Sequence, residues 1–150
     1  MAYSDILIKY DQTFNSIFNW VIAFSFFAFF TTLIREIIKD AEDFEGDNAY
    51  GRKSLPIVLG VTYTKVIIIA LTALTIAALV YIFIMYLVSS KLTLWYLIIA
   101  QLLPLILLII KVITAKTKKD YSIASLLMKF IMLFGVLYSL VAGYIFLYTF

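Results

Sequence analysis

The chain has 150 residues, of which 65% are hydrophobic and 14% charged, and its formal net charge is +3. This composition is typical of a membrane protein rather than of a water-soluble domain. Because the sequence has no cysteine and no histidine, disulfides, thiolate catalysis, ordinary zinc sites and Ser-His triads are excluded. The sequence has no basic stripe interleaved with aromatic residues, the pattern that would indicate a nucleic-acid partner.

Four apolar runs predict the fold class, which is an all-α, polytopic transmembrane helix bundle forming one membrane domain over residues 1–150. The predicted spans cover residues 14–38, 65–88, 92–113 and 125–150. A span of ~22 residues with a rise of ~1.5 Å per residue covers ~33 Å, enough for a hydrocarbon core of ~30 Å. Pro104 predicts a kink inside the third span.

Small side chains recur at helical spacing in two of these spans and predict close helix packing. In the second span they are Ala70, Ala73 and Ala77, and in the fourth they are Gly135, Ser139 and Gly143. If no helix of this chain covers these two rows of small residues, we expect the rows to pack against a second copy of the chain or a missing half.

An acidic segment directly follows the first span, and six of the nine acidic residues lie between Glu36 and Asp47. At about 100° per residue, four of them share a stripe about 60° wide. They are Glu36, Asp40, Asp43 and Asp47. Like charges at this spacing weaken a helix, whereas a bound divalent cation would relieve the repulsion, and oxygen ligands favour a hard ion such as Mg²⁺. The alternative is a solvated cluster paired locally by Arg35 and Lys39.

The segment 39–60 is predicted to be a loop between the first two spans. Gly46 is expected to end or kink the first helix, and Gly51 and Pro56 punctuate the chain beyond it. Five lysines and arginines lie in this connection or at the adjoining span ends, namely Arg35, Lys39, Arg52, Lys53 and Lys65. Four lie likewise around the connection between the third and fourth spans, namely Lys111, Lys116, Lys118 and Lys119, whereas the connection between the second and third spans has only Lys91. The positive-inside rule therefore places the acidic segment on the cytoplasmic side of an inner or plasma membrane.

The run from Arg35 to Gly60 resembles the second aspartate-rich motif of the UbiA superfamily of intramembrane prenyltransferases. Asp43 and Asp47 match its Asp-x-x-x-Asp pair, and Gly51 and Ser54-Leu55-Pro56 match the turn that follows. The extended form Arg-Glu-x-x-Lys-Asp-x-Glu-Asp looks most like the branch that alkylates geranylgeranylglyceryl phosphate. The resemblance implies a nine-helix fold, of which this chain matches the last four helices.

The resemblance also implies a chemistry, which is Mg²⁺-dependent transfer of a prenyl group from an allylic diphosphate to a hydrophobic lipid or aromatic acceptor. Such enzymes serve isoprenoid lipid or quinone biosynthesis. Asp43 and Asp47 are the implied metal ligands and catalytic residues, and Asp40, one turn earlier, is expected to assist them. Three basic residues are candidates for contact with the diphosphate: Lys39, Arg52 and Lys53. Each is equally suited to anchoring the loop at the membrane.

The family's first aspartate motif, of the Asn-Asp-x-x-Asp-x-x-x-Asp kind, is not found in this sequence. The remaining acids, Asp5, Asp11 and Asp120, lack that context. We therefore expect the chain to correspond to the C-terminal half of such an enzyme, inactive alone, and either joining a missing N-terminal half or self-associating. Two alternatives remain: a non-catalytic remnant that binds Mg²⁺, and a small cation-binding membrane protein. The second alternative is disfavoured because acids that line an ion path lie within the membrane spans, whereas the acidic segment of this chain follows the first span.

Overall fold

The computed structural model describes the backbone of residues 2–87 and 90–149 and the side chains of residues 15, 17–85, 87 and 90–142. Over these residues the chain is helical and contains no strand, which confirms the predicted all-α class. The helices are α1 (Ala2–Glu42), α2 (Phe44–Ala49), α3 (Leu55–Leu59), α4 (Val61–Ile82), α5 (Lys91–Tyr96), α6 (Leu103–Thr114) and α7 (Lys118–Thr149). Two π-helical turns, Phe83–Leu87 and Leu97–Leu102, extend α4 and join α5 to α6.

Four helical stretches are long and apolar enough to cross a membrane, as the sequence predicted. They are Ile17–Glu42, Val61–Met85, Lys91–Thr114 and Lys118–Ala142. The helices themselves extend beyond the predicted spans, because a helix satisfies its own backbone hydrogen bonds and continues into water where its side chains turn polar. The predicted span ends at Val88 and Phe150 lie outside the described residues, as does Ser89.

The four long helices form a closed ring. The helix α1 packs against α4 and α7, and α6 packs against the same two neighbours. Phe27 of α1 lies against Gly135 of α7, and Asp43 approaches Lys118, so these two helices run antiparallel. The core that they enclose is built from fully buried aliphatic side chains of all four helices, among them Ile34, Ile68, Leu105, Leu108 and Met128.

The inward face of α4 is not the predicted alanine row. It carries three buried threonines, Thr64, Thr72 and Thr75, whereas Ala70, Ala73 and Ala77 lie on the exposed face. Each threonine hydroxyl donates to the carbonyl oxygen four residues earlier, at 2.7 to 2.9 Å. Because their polar groups are satisfied within the helix, these side chains can lie in the bundle interior without a desolvation penalty.

The π-helical turn Leu97–Leu102 lies directly before Pro104, where the sequence predicted a kink. Pro104 has no amide hydrogen to donate and its ring crowds the carbonyl one turn earlier, so the regular hydrogen-bond pattern cannot continue through it. Gln101, buried in this turn, donates from Nε2 to the carbonyl oxygen of Ile131 at 3.4 Å and so links the third span to α7.

Candidate functional site

The connection 39–60, in which the first helix was predicted to run to about Gly46 with a loop beyond it, is mostly helical. The helix α1 continues through Glu42, and α2 and α3 follow at once. The bend lies at Asp43, with φ −94° and ψ 10°, and not at Gly46, which lies inside α2. The Asp43 amide still donates to the Lys39 carbonyl (3.0 Å), and the Asp47 amide to the Asp43 carbonyl (2.9 Å). The helical hydrogen bonds thus persist through the bend, and Gly46 does not interrupt them.

The end of α2 brings a cation to the second aspartate of the motif. Gly51 has φ +67°, a left-handed conformation that glycine adopts without a Cβ clash. The Arg52 amide donates to the Asp47 carbonyl at 2.9 Å and the Gly51 amide to the Asn48 carbonyl at 3.3 Å. These two bonds are those of a Schellman helix ending. As a result, Arg52 Nη1 lies 3.6 Å from Asp47 Oδ1.

The acidic stripe faces away from the bundle core. On α1 the core side is marked by Ile34, Ile37, Ile38 and Ala41, all buried. At about 100° per residue, Glu36, Asp40 and Asp43 are centred about 140° from that side, and Asp47 follows beyond the bend, in α2. The side chains of Asp43 and Asp47 are 41% and 14% exposed. The Asp43 carboxylate is therefore accessible to a ligand approaching from outside the four-helix ring, whereas the Asp47 side chain is largely covered.

Asp40 belongs to the same cluster. Its carboxyl group interacts with the backbone of Leu55, at the start of α3. It also interacts electrostatically with the carboxylates of Asp47, Glu36 and Asp43. The structure therefore brings together all three carboxylates that the sequence predicted as catalytic. It adds the α3 backbone as a neighbour that the motif does not reveal.

Two lysines from different helices bracket Asp43. Lys39 Nζ lies 3.3 Å from Asp43 Oδ2 and 3.2 Å from Glu42 Oε2. Lys118 Nζ, at the start of α7, lies 3.5 Å from Asp43 Oδ1. Lys53 is exposed and forms no ion pair with any side chain that the structure describes. Lys118 was not predicted as a site residue, because it is 75 residues from Asp43 and only helix packing brings the two together.

A capping network fixes the position of Lys118. Asp120 Oδ2 accepts hydrogen bonds from the amides of Lys116 and Thr117 and from the Thr117 hydroxyl, each at 2.9 Å. Thr117 and Asp120 have the spacing of a capping box. This network begins α7 next to the acidic segment, and the Thr-x-x-Asp pattern is the local signal that could have located it.

The carboxylates of this chain suit Mg²⁺ only if a phosphate ligand and waters supply the remaining coordination positions. Among the described residues, no group of three or more acidic side chains is arranged to hold a metal ion. Mg²⁺ is often bound by one or two carboxylates, with waters and substrate phosphates as the other ligands. Asp43 and Asp47, one helical turn apart and partly exposed, offer that smaller set. The residues present thus fit a metal that a phosphate ligand also coordinates.

Four membrane-length helices with a cluster of carboxylates and basic groups at one end define an integral membrane protein with a charged surface site. Residues 8–134 match the UbiA prenyltransferase family. The chain belongs to this family, as the resemblance of its acidic motif indicated. No solved structure matches the chain.

Similar curated proteins carry one name, digeranylgeranylglyceryl phosphate synthase. The relative from Methanoregula boonei is 52% identical over 50 residues, 33% of this chain and 18% of its own length. That from Thermococcus sibiricus is 47% identical over 51 residues, 34% of this chain and 18% of its own length. That from Korarchaeum cryptofilum is 40% identical over 58 residues, 39% of this chain and 21% of its own length. The chain thus spans about a fifth of the relatives it matches, and their name agrees with the branch that the motif indicated.

Proposed function

We propose that this chain supplies the second aspartate motif of a site that transfers a prenyl group from an allylic diphosphate to a hydrophobic acceptor. The observation that carries the proposal is the outward-facing carboxylate stripe bracketed by basic groups from three elements. Asp43 and Asp47 would hold Mg²⁺, and Asp40 would support them. Family membership and the name shared by the relatives favour a glyceryl phosphate lipid as the acceptor.

The chemistry requires stabilisation of a departing diphosphate. When bound, Mg²⁺ neutralises negative charge that develops on the leaving group. The chain's own cations would act on the same charge. Each ammonium group has three donors, so Lys39 and Lys118 keep donors for phosphate oxygens while they pair with Asp43. Arg52 offers a planar guanidinium suited to two phosphate oxygens. Lys53, exposed beside it, would contribute charge at the rim.

An apolar track leads from the acidic stripe into the membrane. Ile22, Phe29, Glu36 and Asp43 follow one another at intervals of seven residues, so they drift by only about 20° per step around α1. Ile22 and Phe29 are exposed, the latter 62%. A prenyl chain lying on this track would place its diphosphate at the carboxylates while its hydrocarbon stayed among apolar side chains and lipid. Water would thereby be kept from the reactive allyl group.

The site is proposed to need a second set of ligands. Its carboxylates all lie on α1, on α2 and at the bend between them, and over the residues whose side chains the structure describes the outward face of α1 is not covered by the other long helices. A segment carrying the family's first aspartate motif, or a second copy of this chain, would close it. We propose the cytoplasmic side for the acidic segment, because basic residues concentrate in the two connections at this end.

The test is a prenyl-transfer assay with an allylic diphosphate, Mg²⁺ and a panel of glyceryl phosphate and phenolic acceptors. The chain is assayed alone and co-expressed with a segment bearing the first motif. Asp43→Asn and Asp47→Asn should each reduce transfer about 10²- to 10³-fold in the active combination, the usual cost of one preorganised electrostatic group. Removal of Mg²⁺ should abolish transfer.

Glu45→Gln is the matched control, because it removes one charge from an exposed residue of α2 that lies outside the Asp-x-x-x-Asp pair. We expect nearly unchanged transfer. Equal losses at all three positions would show a general charge effect instead of a ligand pair. Robust Mg²⁺-dependent product from the chain alone would refute the need for a second motif. No product in any combination would favour a non-catalytic remnant.

A further inference from the structure

A second charged site lies on a neighbouring face of the same helices. A pocket of about 230 Å³ opens between α1 and α7 near the acidic end of the bundle. Its polar lining comes from Arg35, Lys39 and Glu42 on α1 and from Ser122, Ser125 and Lys129 on α7. At about 100° per residue, its α1 face is rotated by about 100° from the acidic stripe. The pocket is therefore separate from the proposed diphosphate site, although Lys39 borders both.

The pocket carries excess positive charge, with three cations against one carboxylate. Lys39 pairs with Glu42, and Arg35 pairs with Glu36 on the adjoining stripe. Lys129 has no ion-pair partner among the side chains that the structure describes. One turn closer to the start of α7, Ser125 is 5% exposed. Both side chains line the pocket, and each carries a hydrogen-bond donor.

The depth of the pocket suits a ligand at the lipid–water boundary. Lys129 lies four residues past the predicted start of the fourth span at residue 125, which is a depth of only ~6 Å at ~1.5 Å per residue. A lysine at such a depth reaches the headgroup region by extending its side chain. Ile123 and Leu126 also line the pocket and are exposed. The cations thus sit where a headgroup would lie, next to a surface that suits hydrocarbon.

We propose that this pocket binds a phosphate group, presented either by a lipid headgroup or as a free anion. Arginine, lysine and serine donors are the groups that recognise phosphate oxygens. The volume is below the ~300–1,000 Å³ of sites that enclose drug-sized ligands, so the pocket holds a phosphate and leaves attached chains outside. Basic pockets between membrane helices on the cytoplasmic side bind anionic headgroups in the same way.

The test measures binding to the full chain purified in neutral detergent. The probes are dioctanoyl phosphatidic acid, dioctanoylglycerol, which lacks the phosphate, and inorganic phosphate as a competitor. We expect phosphatidic acid to bind at least tenfold more tightly than dioctanoylglycerol. Lys129→Gln should weaken phosphatidic acid binding at least tenfold, and Arg35→Gln should do so independently. Thermal melting of each variant shows that it is folded.

Lys111→Gln is the control, because it removes the same charge from an exposed lysine at the same end of the bundle but outside the pocket. It should change phosphatidic acid binding less than twofold, and equal losses at Lys111 and Lys129 would overturn the proposal. So would equal binding of phosphatidic acid and dioctanoylglycerol. Competition by inorganic phosphate identifies a pocket open to the free anion, and its failure to compete identifies a lipid headgroup.

Asp47→Asn separates this site from the proposed diphosphate site. Asp47 does not line the pocket, so phosphatidic acid binding should stay within twofold of the unmodified chain. A tenfold change at Asp47 would place the phosphate at the acidic stripe and overturn the proposal. If Asp47→Asn loses prenyl transfer but still binds phosphatidic acid, the two sites are separate, as proposed.

Discussion

The contact between Gly135 and Phe27 allows a direct test of how closely α1 and α7 pack. A Cβ atom at Gly135 would lie 3.0 Å from Phe27 Cζ and closer still to Phe27 Cε1. Carbon atoms in contact are normally about 3.5–4.0 Å apart. Gly135→Ala therefore forces the ring or one of the helices to move by more than ~1 Å. Phe27 is only 8% exposed, so the ring has little free space to enter.

The expected cost is that of overpacking a core by one methyl group, about 1–3 kcal/mol. For a chain of this size each kcal/mol lowers the melting temperature by about 2–4 °C. Thermal unfolding of the purified chain in detergent, followed by circular dichroism, measures this loss. Gly46→Ala is the matched control, because nothing lies within 4 Å of its Cβ position. Replacing a helical glycine there should be neutral or stabilising by up to ~1 kcal/mol.

A double variant connects the loss to this one contact. Phe27→Leu removes the two ring atoms that lie closest to the new Cβ, Cε1 and Cζ. The double variant with Gly135→Ala should therefore be less destabilised than the sum of the two single variants. Additive losses would show that the ring is not what excludes the methyl group. Equal melting temperatures for the alanine variants at Gly135 and Gly46 would refute the close approach itself.

Three further predictions follow from local geometry at the acidic end and from the charge asymmetry of the connections. Asp120→Ala should lower the melting temperature, because the amides of Lys116 and Thr117 lose their acceptor at the start of α7, and a melting temperature equal to that of the unmodified chain would contradict the cap. Gly51→Ala should cost about 1–2 kcal/mol because its φ is left-handed, and an unchanged melting temperature would contradict the Schellman ending. Single cysteines at Asn48 and Lys91 test orientation. An impermeant thiol reagent applied to intact cells should label only the second, and labelling of the first would refute the cytoplasmic placement.

The two charged faces of α1 are proposed to bind two different ligands at the membrane surface. The acidic stripe is proposed to hold a metal and a diphosphate, and the pocket shared with α7 is proposed to bind a phosphate alone. Lys39 lies between them and pairs with Glu42 and Asp43. A ligand at either site would draw on the same ammonium group. Binding at one site is therefore expected to alter the electrostatics of the other.

The sequence alone was sufficient for the class of protein and for the position of its acidic motif. Long apolar runs determine membrane helices because lipid leaves the backbone no partner except itself. The stripe of Asp40, Asp43 and Asp47 follows from helical periodicity, which is a local property of the chain. Gly51 matched a turn in the motif, and the structure shows the positive φ that a glycine accommodates there.

Helix boundaries and side-chain partners depended on tertiary structure. Gly46 was expected to end or kink the helix, but the helical hydrogen bonds continue through it, and the Tyr50 amide donates to the Gly46 carbonyl at 3.1 Å. The predicted alanine row of α4 faces outward, because packing against α1 and α6 selects the threonine face instead. Small size permits close packing but does not choose which side of a helix is buried.

The partners of the acidic motif across the bundle were beyond any local pattern. Lys118 reaches Asp43, and Lys129 shares a pocket with Arg35, only because α1 and α7 are antiparallel in one particular register. Phe27 over Gly135 is the contact where that register is tightest. A register is set by the sum of many side-chain contacts along two helices. The sequence therefore determined which charges are available, and helix packing decided which of them meet.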